Sequence, residues 1–104
     1  MQRIAFTMKL FPGFEDEYRR RHAAVWPRLE ALLRETGIRE YSIFLDEETL
    51  VLFACFRIEY PALLELLPAH PVMKEWWEYM KDIMASHPDS SPVTRPLKEV
   101  FYMQ

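Results

Sequence analysis

Residues Leu50 to Ile58, LVLFACFRI, are apolar on both faces of an extended strand. Side chains alternate at a period of two, so Leu50, Leu52, Ala54, Phe56 and Ile58 point one way while Val51, Phe53 and Cys55 point the other. Such a strand must be covered from both sides. In a chain of 104 residues helices can cover one face of a sheet. The pattern therefore predicts that a second copy of the sheet covers the other face, in a homodimer with sheets packed face to face.

The remaining elements follow from spacing. Arg3 to Leu10 alternates Ile4, Phe6, Met8 and Leu10 against Arg3, Ala5, Thr7 and Lys9, the mark of a half-buried strand that Pro12 and Gly13 terminate. Phe14 to Arg34 takes helical spacing, with Leu29, Leu32 and Leu33 on one stripe. Pro27 should split or kink that element, and Thr36-Gly37 should stop it. Ile38 to Leu45 is a strand joined to LVLFACFRI by the polar turn Asp46-Glu47-Glu48-Thr49, which makes a hairpin. Pro61 to Leu67 reads as a short helix. Pro71 to Met84 reads as a longer one, with Met73, Trp77, Met80 and Met84 on its apolar stripe. HPDSSPVTRP is loop, and Leu97 to Met103 is a final strand. The order β-α-β-β-α-β predicts an α+β, ferredoxin-like fold: one domain over residues 1–104, a single antiparallel sheet with its helices on one side, and a dimeric α/β-barrel-type association.

Half of the residues are hydrophobic and the net charge is −3, which gives no general pull toward nucleic acid. The one basic cluster, Arg19 to Arg21, follows Glu15, Asp16 and Glu17 and reads as a solvated helix face. The start, MQRIAFTMKLFPGF, lacks the continuous apolar run of a signal peptide or membrane span. Cys55 is the single cysteine, read as a buried, inert thiol, so no intrachain disulfide is available. A cytoplasmic protein is expected.

A domain of this size buries roughly 65% of the surface its unfolded chain exposes, so a site is expected between core and surface rather than deep inside. The segment EYRRRHAAVWP, Glu17 to Pro27, places Tyr18 and His22 one helical turn apart on the same face. Imidazole titrates near neutral pH, which suits proton transfer. In Trp76-Trp77 the two indoles diverge by about 100°. Trp77 fits the methionine stripe, and Trp76 should lean into a groove where its ring can stack on a sugar. Tyr41 shares a face with Ile43 and Leu45 and can present a phenol to the same space. Core packing explains each of these residues equally well on spacing alone. Only Gly13 and Gly37 occur, so no glycine-rich phosphate loop exists, and His22, His70 and His87 form no metal-binding pair. No metal or other cofactor is expected.

Together, EYRRRHAAVWP, Tyr41-Ser42-Ile43-Phe44-Leu45-Asp46, Glu75-Trp76-Trp77-Glu78-Tyr79-Met80 and the ending SPVTRPLKEVFYM resemble the L-rhamnose mutarotases, nearly end to end. The resemblance implies a dimeric ferredoxin-like α+β protein that interconverts the α and β anomers of L-rhamnose without a cofactor. It implies His22 as catalytic proton donor and Tyr18, Tyr41, Trp76 and Trp77 as the sugar-binding residues. Arg28 after the Trp26-Pro27 pair and Ser90 in the Asp89-Ser90-Ser91-Pro92 loop depart from the family pattern, leaving rhamnose or a related deoxy sugar as the substrate. Tyr18, a loop carboxylate such as Asp89, or water are the candidates for removing the anomeric proton. A haem-degrading enzyme or cofactor-less monooxygenase on the same dimeric sheet, and a non-catalytic sugar-binding module, are the alternative readings. Haem titration and anomer-exchange rates separate them.

Overall fold

A computed structural model describes residues 1–104. Four strands form one antiparallel sheet in the order β2-β3-β1-β4: β1 (Gln2–Lys9), β2 (Ile38–Asp46), β3 (Val51–Ile58) and β4 (Arg95–Leu97). With the helices α1 (Glu15–Ala23), α2 (Pro27–Glu35) and α3 (Pro71–Met80) this is the ferredoxin-like α+β arrangement that the element order predicts.

Local chemistry accounts for the boundaries. Gly13 and Gly37 take φ of +88° and +96°, where a side chain would be strained, and they turn the chain into α1 and out of α2. Pro27 breaks the long helical pattern cleanly: it sits at the first position of α2 and Trp26 caps it with extended backbone. At the other end Thr36 Oγ1 donates to the Leu32 carbonyl at 2.8 Å. His70, before Pro71, caps α3 by accepting from the Val72 N–H. Pro61–Ala69 winds as a 3₁₀ helix rather than an α-helix.

Alternation along β3 is plain in its burial. Leu52, Ala54, Phe56 and Ile58 are buried against the helices, while Phe53 and Arg57 are exposed on the outer face. Leu10, Ile58 and Ile83 are fully inaccessible and anchor the core between sheet and helices. Each such side chain contributes about 1.5 to 3 kcal/mol of transfer free energy. Cys55 points outward and is half-buried, so the expectation of a buried thiol fails. Its strand position puts it on the face that the helices do not cover.

Two elements are shorter than expected. The helix predicted to reach Met84 stops at Met80: the Ile83 N–H tightens onto the Met80 carbonyl, and Arg21 Nη1 donates to the Tyr79 carbonyl at 2.7 Å, satisfying a carbonyl at the helix end. The chain beyond then runs along the end of the first strand, with Phe11 N–H donating to the Ile83 carbonyl and Ala85 N–H to the Lys9 carbonyl. The last strand, expected over Leu97 to Met103, is Arg95–Leu97, paired with Ala5 to Thr7. Beyond it Val100, Phe101 and Met103 are 78–88% exposed. Arg3 holds this tail by an ion pair with Glu99 and by lying over the Tyr102 ring.

Candidate active site

A bulge in β2 aims one wall of the site. Pairing with β3 runs Ile38 to Ile58 and Arg39 to Arg57, then resumes at Ser42 with Cys55, so Glu40 and Tyr41 together oppose Phe56. Glu40 absorbs the extra residue with φ of +53°. Without it, the alternation that buries Ile38 would turn Tyr41, Ile43 and Leu45 outward. With it, Tyr41 packs over Phe56 at 5.2 Å between ring centroids and faces the helices.

The opposite wall is α1 with α3. Tyr18 and His22, one turn apart, stack at 4.2 Å with 24° between their rings. Trp76 meets His22 edge-on at 5.4 Å, so the imidazole is held between a phenol and an indole. Trp76, not Trp77, occupies the buried stripe of α3, at 6% exposure, beside Val72, Met73 and Met80. The methionine stripe admits either indole at i+3 or i+4, and contact with Trp26, at 5.0 Å, and with His22 selects Trp76. Trp77 is partly buried against the same core.

Tyr18, His22, Tyr41, Trp76 and Trp77 all line one open cavity of about 1320 Å³ between the sheet and the helices. Its floor is apolar, and Ser86, Ser90 and Thr94 from the loop before β4 bring hydroxyls to its edge. Ser90 takes φ of +73° and donates to Glu78 at 2.7 Å, which ties that loop to α3.

The contacts of the imidazole decide which of its nitrogens carries the lone pair. His22 Nδ1 lies 3.1 Å from the Tyr18 carbonyl oxygen, which can only accept, so Nδ1 carries a proton and the lone pair of the neutral ring sits on Nε2. Burial lowers the His22 pKa below 6.5, against a smaller upward pull from the Tyr18 carbonyl, and the ring is neutral at pH 7. Burial also raises the Tyr18 pKa, helped by Tyr41, and pushes Tyr41 up to about 12. Tyr41 nevertheless keeps 39% of its surface accessible, consistent with a phenol in the cavity wall rather than in the core. Both phenols are hydrogen-bond donors and poor acids. No polar side-chain atom is buried without a partner, so the Tyr18 hydroxyl, which has none within the chain, opens onto the cavity.

Asp89 is not part of this cavity. Its carboxylate accepts from the backbone and side chain of Ser91, which hold its pKa below the usual range and turn it into its own loop. Of the two residues named for removal of the anomeric proton, Tyr18 lines the cavity and Asp89 does not. No cluster of His, Cys, Asp and Glu is placed to hold a metal ion. Residue spacing also misses Trp26 and Tyr79, which stack at 5.5 Å behind Trp76, and Arg21, which is buried rather than solvated. A signal for Arg21 was present in the Glu17/Arg21 spacing of four residues.

This architecture defines a ferredoxin-like α+β protein with a pocket walled by aromatic rings around one histidine. The family model described as L-rhamnose mutarotase matches residues 3–103. L-rhamnose mutarotases of Phocaeicola vulgatus and Brucella anthropi are 50% and 54% identical to the chain, over 99% and 98% of its length and 99% and 96% of their own. The crystal structure of an L-rhamnose mutarotase from Formosa agariphila superposes with a TM-score of 0.93 at 46% identity, covering all of both chains. A protein of Pseudomonas aeruginosa, at 14% identity and a TM-score of 0.59, shares the fold alone. The chain belongs to the L-rhamnose mutarotase family.

Proposed function

We propose that the protein interconverts the α and β anomers of L-rhamnose, with His22 Nε2 as the atom that moves the proton. Mutarotation transfers one proton, net, from the anomeric hydroxyl to the ring oxygen as the ring opens. Neutral His22 accepts the hydroxyl proton on Nε2 while the C1–O5 bond breaks and its electron pair stays on O5. The imidazolium then donates that proton to O5, which leaves an aldehyde at C1. Rotation about C1–C2 and the reverse steps close the ring on the other face, so no proton is gained or lost. Held off its normal pKa by burial, the imidazolium is an acid well matched to give the proton back.

Tyr18 and Tyr41 orient the sugar through hydroxyls that stay protonated, the partly buried Trp77 offers a ring face to its C–H surface, and Trp76, almost wholly buried, forms the wall behind His22. A positioned acid–base group contributes about 10²- to 10⁴-fold, or about 3 to 5 kcal/mol of barrier. That suffices for a reaction that already proceeds in water. The observation that carries the reading is the convergence of His22, Tyr18, Tyr41 and Trp76 on one cavity in a chain of this family. Saturation transfer between the two anomeric protons of L-rhamnose tests it. His22→Ala should remain folded and lose most of the accelerated exchange; exchange at the wild-type rate would refute the role of His22.

The working unit in this reading is a homodimer. Phe44, Phe53 and Leu97, 41–69% exposed on the outer face of the sheet, and the apolar tail after β4 support it. The single half-buried cysteine suits a reducing, cytoplasmic compartment, and no helix is long and apolar enough to cross a membrane.

A further inference from the structure

We propose that Arg21 is a positioning residue for the reaction: its clamp between Glu17 and Asp82 fixes α1 against α3 and so holds His22 in contact with Trp76. This rests on the role proposed for His22. Arg21 is a charged side chain at 8% exposure, packed on the Tyr79 ring and the Met80 sulfur, where an unpaired charge would cost several kcal/mol.

Four of its N–H groups are matched. Nε donates to Glu17 at 2.7 Å; Nη1 donates to the Tyr79 carbonyl at 2.7 Å and to Asp82 Oδ1 at 2.9 Å; Nη2 donates to Asp82 Oδ2 at 3.2 Å. The fork grips one carboxylate with two parallel bonds, a geometry that lysine cannot copy. The same guanidinium lies 4.4 Å from the Tyr79 ring centroid, over its face.

From Tyr79 the contacts run without a break to the imidazole. Tyr79 stacks on Trp26 at 5.5 Å and packs on Trp76 at 5.6 Å, Trp26 meets Trp76 at 5.0 Å, and Trp76 meets His22 at 5.4 Å. Arg21 and His22 are consecutive residues of α1 and project about 100° apart, one onto the end of α3 and one toward the cavity. A turn of α1 that freed Arg21 would swing His22 by the same angle. Arg21–Asp82 is the one salt bridge from α1 to this end of α3; the Arg28–Glu75 pair, exposed and 3.8 Å apart, joins α2 to α3 instead.

Stacked rings shift the ring-proton resonances of His22, which gives a readout that needs no sugar. In Arg21→Lys these resonances should move toward those of an unstacked histidine, and kcat should fall about 10- to 100-fold with KM little changed, as expected of a reacting group displaced by about 1 Å. A folded Arg21→Lys protein with unmoved His22 resonances and wild-type kcat would overturn the proposal. If that variant fails to fold, Asp82→Asn, which keeps the guanidinium and loses the charged two-point grip, should show the same shift in smaller measure; a wild-type spectrum would overturn it equally. Wild-type protein that fails to accelerate anomer exchange would refute the proposed function instead, and leave the resonance test standing.

Discussion

Nδ1 of His22 donates to the carbonyl oxygen of Tyr18, one turn earlier in the same helix, at 3.1 Å. A bond from the imidazole back to its own helix has a chemical consequence, because it assigns the lone pair of the neutral ring to the nitrogen that remains, Nε2.

The resting enzyme should therefore hold His22 as the Nδ1–H tautomer. Nitrogen-15 spectra of the ring should show a protonated Nδ1 and a bare Nε2 at pH 7.5; a dominant Nε2–H form would contradict the proton-transfer scheme. Because burial lowers the His22 pKa, the acid limb of the rate profile should fall at a pH below 6.5. Tyr41, up to about 12, should leave the alkaline side flat through pH 9. Glu15, Asp16 and Arg19 line the same cavity, and a His22→Ala profile measured in parallel isolates the contribution of the imidazole.

Removal of the Tyr18 hydroxyl should cost less than removal of the imidazole. Tyr18→Phe keeps the ring that stacks on His22 and loses one hydrogen bond to the sugar, worth about 0.5 to 1.5 kcal/mol, or about three- to tenfold in kcat/KM. His22→Ala should lose about 10²- to 10⁴-fold. A larger loss in Tyr18→Phe would exchange the roles of the two residues.

The bulge makes a stability prediction. Glu40→Gly and Glu40→Ile both delete the exposed pair with Arg57, so their difference reports the φ of +53° at residue 40. Glycine should exceed isoleucine by about 1 to 2 kcal/mol in urea unfolding. Equal stabilities would show that the strand repacks without its bulge.

Acid should weaken the fold in two windows. The unfolded His22 takes up a proton near pH 6.5 that the buried ring resists, so stability falls as pH drops below 6.5, and His22→Gln should remove that step. Glu17, held at about 2 by Arg20 and then Arg21, and Asp82, lowered by Arg21, stabilise the fold fully above their ordinary values of 4.5 and 3.8. That contribution is lost as pH falls toward 2. Urea midpoints measured from pH 8 to 3 should decline in both windows; a midpoint that rises on acidification would reverse the sign.

The outer face of the sheet predicts association. Sedimentation of the wild type should give a dimer, and Phe53→Glu should give a monomer or an aggregating chain, since it places a charge in the middle of the apolar face. A wild-type monomer would remove the homodimer from the proposed function.

Much of this protein was written locally. Alternation in β1 and β3, Pro27 between two helices, and Gly37 after Thr36 each act within a few residues, so element order and the ferredoxin-like topology were readable from the chain. The i, i+4 relation of Tyr18 and His22 was equally local, because a helix guarantees their contact. Three matters depended on partners distant in sequence. Trp76 rather than Trp77 fills the core because Trp26 and His22 meet it from another element. Tyr41 reaches the cavity through a bulge whose position depends on pairing with β3. Arg21 is buried because Asp82 and the Tyr79 carbonyl lie about sixty residues further along the chain. Periodicity reports which face of an element is apolar; only packing decides what that face meets.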